Sequence, residues 1–439
     1  MDDERRETWK TLDLALRVGE MLLSNGAGAA DVTTTMLAVT TAAGLRGVTS
    51  DVTYTQLTLT HQPSVDEPAT IQIRRVTHRE IDYEDLTLVD HLVRDLLDRR
   101  ITRDEARDRL NRLVSSAHRR PRWGVTVGWG VMGTGIAMLL GAGFVVSGLA
   151  FLAAAGIDRV QRALSLRRLP SFYQQVAGGL LATLIAVAAA AMDLGVQPSQ
   201  VVTAGIIMLL AGIGFMGATQ DALTGFPITA GARILEAMLA TMGVIAGVSG
   251  GLTLGRALGV HVGRIQPGVY ELSQVSVMTL GAAIGAAAFA FASYAPLRAL
   301  LPVALVGGFG TMVYLAVISL EMGVGWASAC AAVTVGVVSY SVAGRIRVPP
   351  LVVVVPAVSP LLPGLAIYRG LAQLSEGQSG MLDLAGAGVT AVALASGVIL
   401  GQYLAQPLKR EARRLETRLS GPRLVGPLRG PLRARAARR

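Results

Sequence analysis

Cysteine is almost absent. Cys330 is the only one in 439 residues, so no intramolecular disulfide can form and cysteine usage points to no redox compartment. Charged residues make up only 16% of a chain that is 51% hydrophobic, which excludes a disordered chain and an ordinary soluble enzyme, and aromatic residues only 5%, too few for a bulky water-driven core. The five histidines, His61, His78, His91, His118 and His261, fall at no metal-ligand spacing, and no phosphate-binding loop, zincin helix or nucleophile elbow occurs. Gly26-Ala-Gly28 is too short to cradle a phosphate. No cofactor, no metal and no ATP-driven step are therefore expected. The opening Met-Asp-Asp-Glu-Arg-Arg lacks the basic, apolar and small-residue regions of a signal peptide, which keeps the N-terminus in the cytoplasm.

What is abundant is small apolar sequence. The chain is 51% hydrophobic, its mean hydropathy is +0.50, and 51 residues are glycine, a composition suited to closely packed membrane helices. Ten spans are expected, at 123–140, 142–157, 172–191, 201–218, 234–258, 275–294, 298–318, 324–343, 348–367 and 385–405. Each approaches the ~20 residues that cross ~30 Å of hydrocarbon. A turn at Gly141 divides the first two, although that stretch also reads as one long helix.

Residues 1–120 are soluble in character. Leu12, Leu16, Gly19 and Leu23 share one helical face, a second helix is expected from Ala30 to Gly44, and Val48–Gln62 and Thr70–Thr77 read as a strand pair around Pro63 and Pro68. Two helices follow. One buries Leu86, Val89, Val93 and Leu96; the other opens on the capping box Thr102-Arg-Asp-Glu105 and turns Ala106, Leu110, Leu113 and Ala117 inward. The expected fold class is thus an α-helical polytopic membrane protein of about ten transmembrane helices with a small N-terminal cytoplasmic α/β domain. Its divisions fall at 1–120 for that domain, 121–262 and 263–408 for two five-helix halves, and 409–439 for a basic disordered cytoplasmic tail.

Charge sets the orientation. Arg119, Arg120, Arg122, Arg159, Arg162, Arg167, Arg168, Arg233, Arg298, Arg345 and Arg347 fall on one side with the tail, against Arg256, Arg264 and Arg369 on the other, which places both termini in the cytoplasm. From Lys409 onward 11 Lys and Arg stand against Glu411 and Glu416, nearly the whole of the net charge of +10. Such a tail is drawn to anionic lipid headgroups at about 1 kcal/mol per basic residue. Nucleic acid is the rival partner, disfavoured by the adjoining span and the lack of interleaved aromatics.

Two stretches break the helical pattern. One is Leu210-Ala-Gly-Ile-Gly-Phe-Met-Gly217, with Gly212 and Gly214; the other runs from Pro349 to Gly364 through Pro350, Pro356, Ser359, Pro360 and Pro363. Prolines free backbone groups, and lipid cannot solvate them, so either these helices are merely kinked and filled by packing or they line a watery cavity. Five-helix halves of odd number would be inverted repeats, placing the breaks in opposite halves of the membrane. Asp221 has no local partner and Glu236 is spaced to pair with Arg233, so each acid is either a substrate or proton group or an interfacial charge. Asp193, Glu271, Glu321 and Asp383 read as solvated span ends. Gly243, Gly247, Gly251, Gly255 and Gly259 recur along one face of the fifth span, and Gly281 and Gly285 are the expected partner surface.

The run Gly19-Glu-Met-Leu-Leu-Ser-Asn-Gly-Ala-Gly-Ala-Ala-Asp31, Met36-Leu-Ala-Val, Gly44-Leu, Asp51-Val-Thr-Tyr-Thr55 and Asp82-Tyr resembles the threonine/serine exporter family, as do the segments Gly212 to Arg233 and Pro356 to Gly364. Thr33 and Pro356-Ala357 depart from the family pattern. The resemblance covers nearly the whole chain. It implies a soluble domain ahead of ten helices in two halves, and efflux of threonine and serine by proton antiport across a bacterial inner membrane. Some relatives are linked to dicarboxylate export, which leaves a succinate-like substrate as one alternative. A membrane-anchored hydrolase working through Ser24 and Asp31 is another, against which both residues read as helix punctuation. In the exporter reading the substrate carboxylate meets the broken end near Ser359, and its ammonium meets Asp221 or Glu236, where a proton competes. Whether the chain forms a homo-oligomer is left open.

Overall fold

Periodic burial and local capping build the first elements. A computed structural model describes residues 2–77, 79–115, 120–192, 198–209, 212–260, 274–375 and 378–419. Helix α1 (Asp2–Ser24) buries Leu12, Leu16 and Leu23 against α2 (Ala29–Ala42), with Gly19 at the closest point, where a Cβ would stand 2.4 Å from Met36 Sδ. Strands β1 (Val48–Val52), β2 (Gln56–His61) and β3 (Thr70–Arg75) form an antiparallel sheet in that order. The expected strand pair is therefore three strands. Val48–Gln62 folds on itself, with Val52 opposite Leu57, because Thr53, Tyr54 and Thr55 make the turn that a β-rich composition conceals. Leu57 and Leu59 face the helices while Thr58 and Thr60 are half-buried on the other side, the period of two that a one-sided sheet requires.

Helices α3 (Tyr83–Leu97) and α4 (Arg103–Ser115) follow. The stripe Leu86, Val89, Val93 and Leu96 is buried, as are Ala106 and Leu110. The capping box is formed in both directions: Thr102 N donates to Glu105 Oε2 at 2.8 Å and Glu105 N to Thr102 Oγ1 at 3.3 Å. Thr102→Ala is expected to cost about 1 kcal/mol, read as a lower denaturation midpoint of the purified chain.

The apolar portion follows as α5 (Arg122–Leu139), α6 (Phe144–Leu166), α7 (Ser171–Ala191), α8 (Pro198–Ile206), α9 (Gly212–Leu223) and α10 (Pro227–Ala257). A second run comprises α11 (Val275–Ala292), α12 (Leu297–Ile318), α13 (Val324–Ile346), α14 (Leu351–Val358), α15 (Gly364–Ser375) and α16 (Met381–Leu419). Gly141, at φ +74°, turns the chain between α5 and α6. Among the described residues, α6, α7, α10, α11, α12, α13 and α16 are long and apolar enough to cross a membrane, and the pair α14 and α15, bent by 49°, adds an eighth candidate. The molecule is a mostly helical, multi-pass membrane protein. On α12, Leu297, Leu301, Leu305, Phe309 and Met312 form an exposed row at helical spacing, the arrangement of a lipid-facing side. The expected spans at 123–140 and 201–218 correspond to α5 and to the interrupted α8 and α9, which do not meet that length and composition. Helix α16 carries on through Lys409 to Leu419, and the remaining tail, like Asp193, Arg264 and Glu271, lies outside the described residues.

Glycines set the closest helix contacts. Cβ atoms on Gly243 and Gly247 would stand 2.8 Å from Phe172 O and 2.1 Å from Val176 O, and those on Gly251 and Gly255 2.7 Å from Thr183 and 2.8 Å from Val187. These four glycines thus face α7, whereas Gly259 lies past the end of α10 with nothing within 4 Å of a Cβ placed there. Gly281 and Gly285 are not its partner, as sequence spacing had implied; they pack on Gly135 of α5, whose own Cβ would lie 2.5 Å from Gly285 N. Small residues permit either pairing, and only the tertiary arrangement chooses.

Candidate functional site

Both helices are interrupted, the first of them just ahead of the expected stretch, since Gly212 to Gly217 are helical, and the two interruptions meet. Helix α8 tightens into a 3-10 turn at Ile207–Leu209 before α9; α14 does the same at Ser359–Leu361 before α15. Pro360 and Pro363 remove two amide donors there. A Cβ on Gly212 would stand 2.8 Å from Leu362 Cβ, so one break lies on the other. A cavity of about 660 Å³ and another of about 360 Å³ flank this contact, and Ile81, Ile213 and Leu362 line both.

The larger cavity has Gly212, Ser359, Pro360 and Gly364 on its wall. Its charges include an ion pair between Arg122 and Asp158, whose carboxylate also accepts from Thr126 Oγ1 at 2.7 Å. The Ser359 hydroxyl donates to Pro356 O at 2.8 Å, so its proton is already committed and does not await a carboxylate. Pro356 is buried inside α14 and lines neither cavity, nor does Pro363.

The smaller cavity lies between the N-terminal unit and the apolar helices. Ser24, Tyr54, Arg79 and Tyr83 come from the former, Gln175, Gly214, Arg233 and Glu236 from the latter. Arg79 follows β3 in the connector to α3, its guanidinium 3.4 Å from the centre of the Tyr54 ring. Burial, reinforced by the positive charge of Arg233 and opposed by Asp221, lowers its pKa to about 10, which leaves it a cation at neutral pH. Tyr83 is fully buried, and burial pushes its phenol up, keeping it neutral.

Asp221 lines neither cavity. It is fully buried and has the partner that local sequence did not reveal: Oδ2 lies 3.1 Å from Arg233 Nη1, while Oδ1 accepts from Ala29 N at 2.9 Å. Arg233, expected to pair with Glu236, instead serves Asp221 and donates to Ala27 O at 3.3 Å. It passes over Gly217, where a Cβ would stand 2.8 Å from Nη1. Helix α2 starts after Gly28, which has no side chain to cap it, and Asp221 of α9 supplies the missing anion to its free amides. Asp31 is therefore not the cap, but an acid within the first turn of α2. The Ser24 hydroxyl donates to Glu20 O at 2.8 Å at the end of α1, the punctuation reading rather than that of a nucleophile. Further bonds dock the unit, from Tyr83 N to Ser293 O at 2.9 Å and between His91 Nε2 and Arg347 O at 3.0 Å.

Sequence reasoning missed Arg79, Tyr83, Gln175 and Asp158. Asp158 had a signal, an acid directly after Ala-Ala-Ala-Gly-Ile in the second span, masked by the arginines that follow. Arg79 had none, since it resembles any charge in a polar connector.

Two family models match. One, described as "Putative threonine/serine exporter", matches residues 13–255, and a second, a threonine/serine exporter model, matches residues 278–406. A "Probable threonine/serine exporter" of Mycobacterium tuberculosis is 34% identical over 428 residues, covering 94% of this chain and 80% of that protein. A "Threonine/serine exporter" of Corynebacterium glutamicum is 33% identical over 410 residues, covering 92% and 84%. No solved structure matches the chain.

Proposed function

Because this chain belongs to the threonine/serine exporter family, we propose that it carries threonine and serine out of the cell through the two cavities, with Glu236 as the proton-exchanging acid. The observation that supports this passage most is the contact of the two helix breaks, Gly212 on Leu362, with a cavity on each side that carries charged side chains on its wall. Backbone interrupted at membrane depth is tolerated where it lines a watery cavity or is packed in protein, and here it borders a cavity and is packed, Gly212 on Leu362.

The two apolar runs have one plan: three helices, a helix interrupted by a 3-10 turn, then a long helix. Helix α10 packs along α7 through Gly247, and α16 along α13 through Gly401, whose Cβ would stand 2.4 Å from Val333 O. This correspondence supports two inverted five-helix halves and ten crossings, with α5 and the α8–α9 pair counted as spans. Residues 1–120 then form a cytoplasmic domain, and both termini lie in the cytoplasm as the arginine asymmetry directs.

Glu236 lines the smaller cavity and has no ion-pair partner among the described residues. A substrate ammonium and a proton compete for its carboxylate, and that competition couples their opposite movements. Asp221, spent on Arg233 and α2, is a structural anchor in this reading. The purified full chain in lipid vesicles is expected to give saturable counterflow of labelled serine and threonine and none of succinate, with an imposed pH gradient accelerating efflux. Glu236→Gln should abolish the acceleration. Full pH-driven efflux by that variant removes the acid role, and succinate counterflow alone moves the substrate class to dicarboxylates.

A further inference from the structure

We propose that the smaller cavity is a subsite for a zwitterionic α-amino acid, in which Arg79 of the N-terminal unit holds the carboxylate and Glu236 of α10 holds the ammonium. The assignment rests on the exporter reading for its ligand class and adds to it a residue outside the membrane helices.

Both charges line one cavity of about 360 Å³, and no ion pair joins either of them to a described residue. The other guanidinium on that wall, Arg233, is committed to Asp221 and Ala27. Arg79 Nε and Nη2 are buried with no hydrogen-bond partner among the described residues. Two adjacent N–H groups of one planar fork are the geometry that takes a carboxylate bidentately. Tyr54, beneath the guanidinium, fixes the plane of the fork without consuming a donor. Two further groups on the same wall are unsatisfied: the hydroxyl of the fully buried Tyr83 and Oε1 of Gln175. Leaving buried polar atoms unpaired is costly, and four of them around one small cavity match a ligand rich in donors and acceptors, as a hydroxy amino acid is.

The test pairs each charge with the analogue that lacks its partner. Counterflow KM, together with ligand-dependent thermal stabilisation of the detergent-purified full chain, is measured for serine, for serinamide, which has no carboxylate, and for glycerate, which has no ammonium. Arg79→Gln is expected to raise the serine KM about ten- to a hundredfold and leave serinamide unchanged. Glu236→Gln should do the same to serine and leave glycerate unchanged. Arg79→Lys, which keeps the charge and loses the fork, should fall between wild type and Arg79→Gln for serine alone, and it decides the matter if Arg79→Gln fails to fold. Tyr83→Phe should be as stable as wild type without ligand and gain less from serine. Unaltered ratios among the three compounds, or a loss shared equally by all three, overturn the subsite. Wild-type protein that binds serine in an Arg79-dependent way but does not move it overturns the exporter reading and leaves the subsite standing.

Discussion

Gly247→Leu is expected to leave almost no folded protein in a detergent extract, measured as the monodisperse fraction in size-exclusion chromatography. A Cβ there would stand 2.1 Å from Val176 O and 2.8 Å from Leu180 N, and both obstacles are backbone, which cannot swing aside as a side chain would. Overpacking a core against movable side chains costs about 1–3 kcal/mol; here two helices must separate, and the neighbouring contacts at Gly243 and Gly251 are lost with the first. Gly250 provides the control, because nothing lies within 4 Å of a Cβ placed there. Gly250→Leu, on the same helix three residues away, should yield as much folded protein as wild type.

The second large effect belongs to Asp221. Asp221→Ala leaves Arg233 largely buried without its counter-charge and the α2 amide at Ala29 without its acceptor. Removing one member of a buried pair typically costs about 3–5 kcal/mol. We expect a loss of that size in thermal or denaturant unfolding, together with rapid proteolysis between the N-terminal unit and α5. The double variant Asp221→Leu with Arg233→Met should recover much of the loss, because apolar replacement of both partners removes the stranded charge. A double variant no more stable than the single one would show that the amide of α2, rather than the guanidinium, sets the cost.

The elements legible in the sequence are those whose causes are local. Thr102 and Glu105 cap each other three residues apart, the α3 stripe repeats at helical spacing, Gly141 stops a helix, and the prolines at 360 and 363 withhold donors from their own turn. The unreadable ones depend on what lies across the fold. Nothing near Gly247 says that α7 rather than α11 will cover it, and nothing near Asp221 shows that its partners are Ala29, some 190 residues earlier, and Arg233, which local spacing assigned to Glu236. The turn at Thr53 to Thr55 escaped because threonine and tyrosine favour strands wherever register allows it. The candidate site divides along the same line. The broken helices were visible; Arg79 was not, because its significance comes from the membrane helices that crowd the end of an ordinary connector.

Ile81 belongs to that connector, yet it stands with Ile213 and Leu362 in the one layer of side chains that, among the described residues, is common to both chambers. One panel of the bulkhead is therefore supplied from outside the apolar helices. The leading segment of the chain is not a lid resting on a finished channel, and helices 5 to 16 by themselves would enclose a breached compartment.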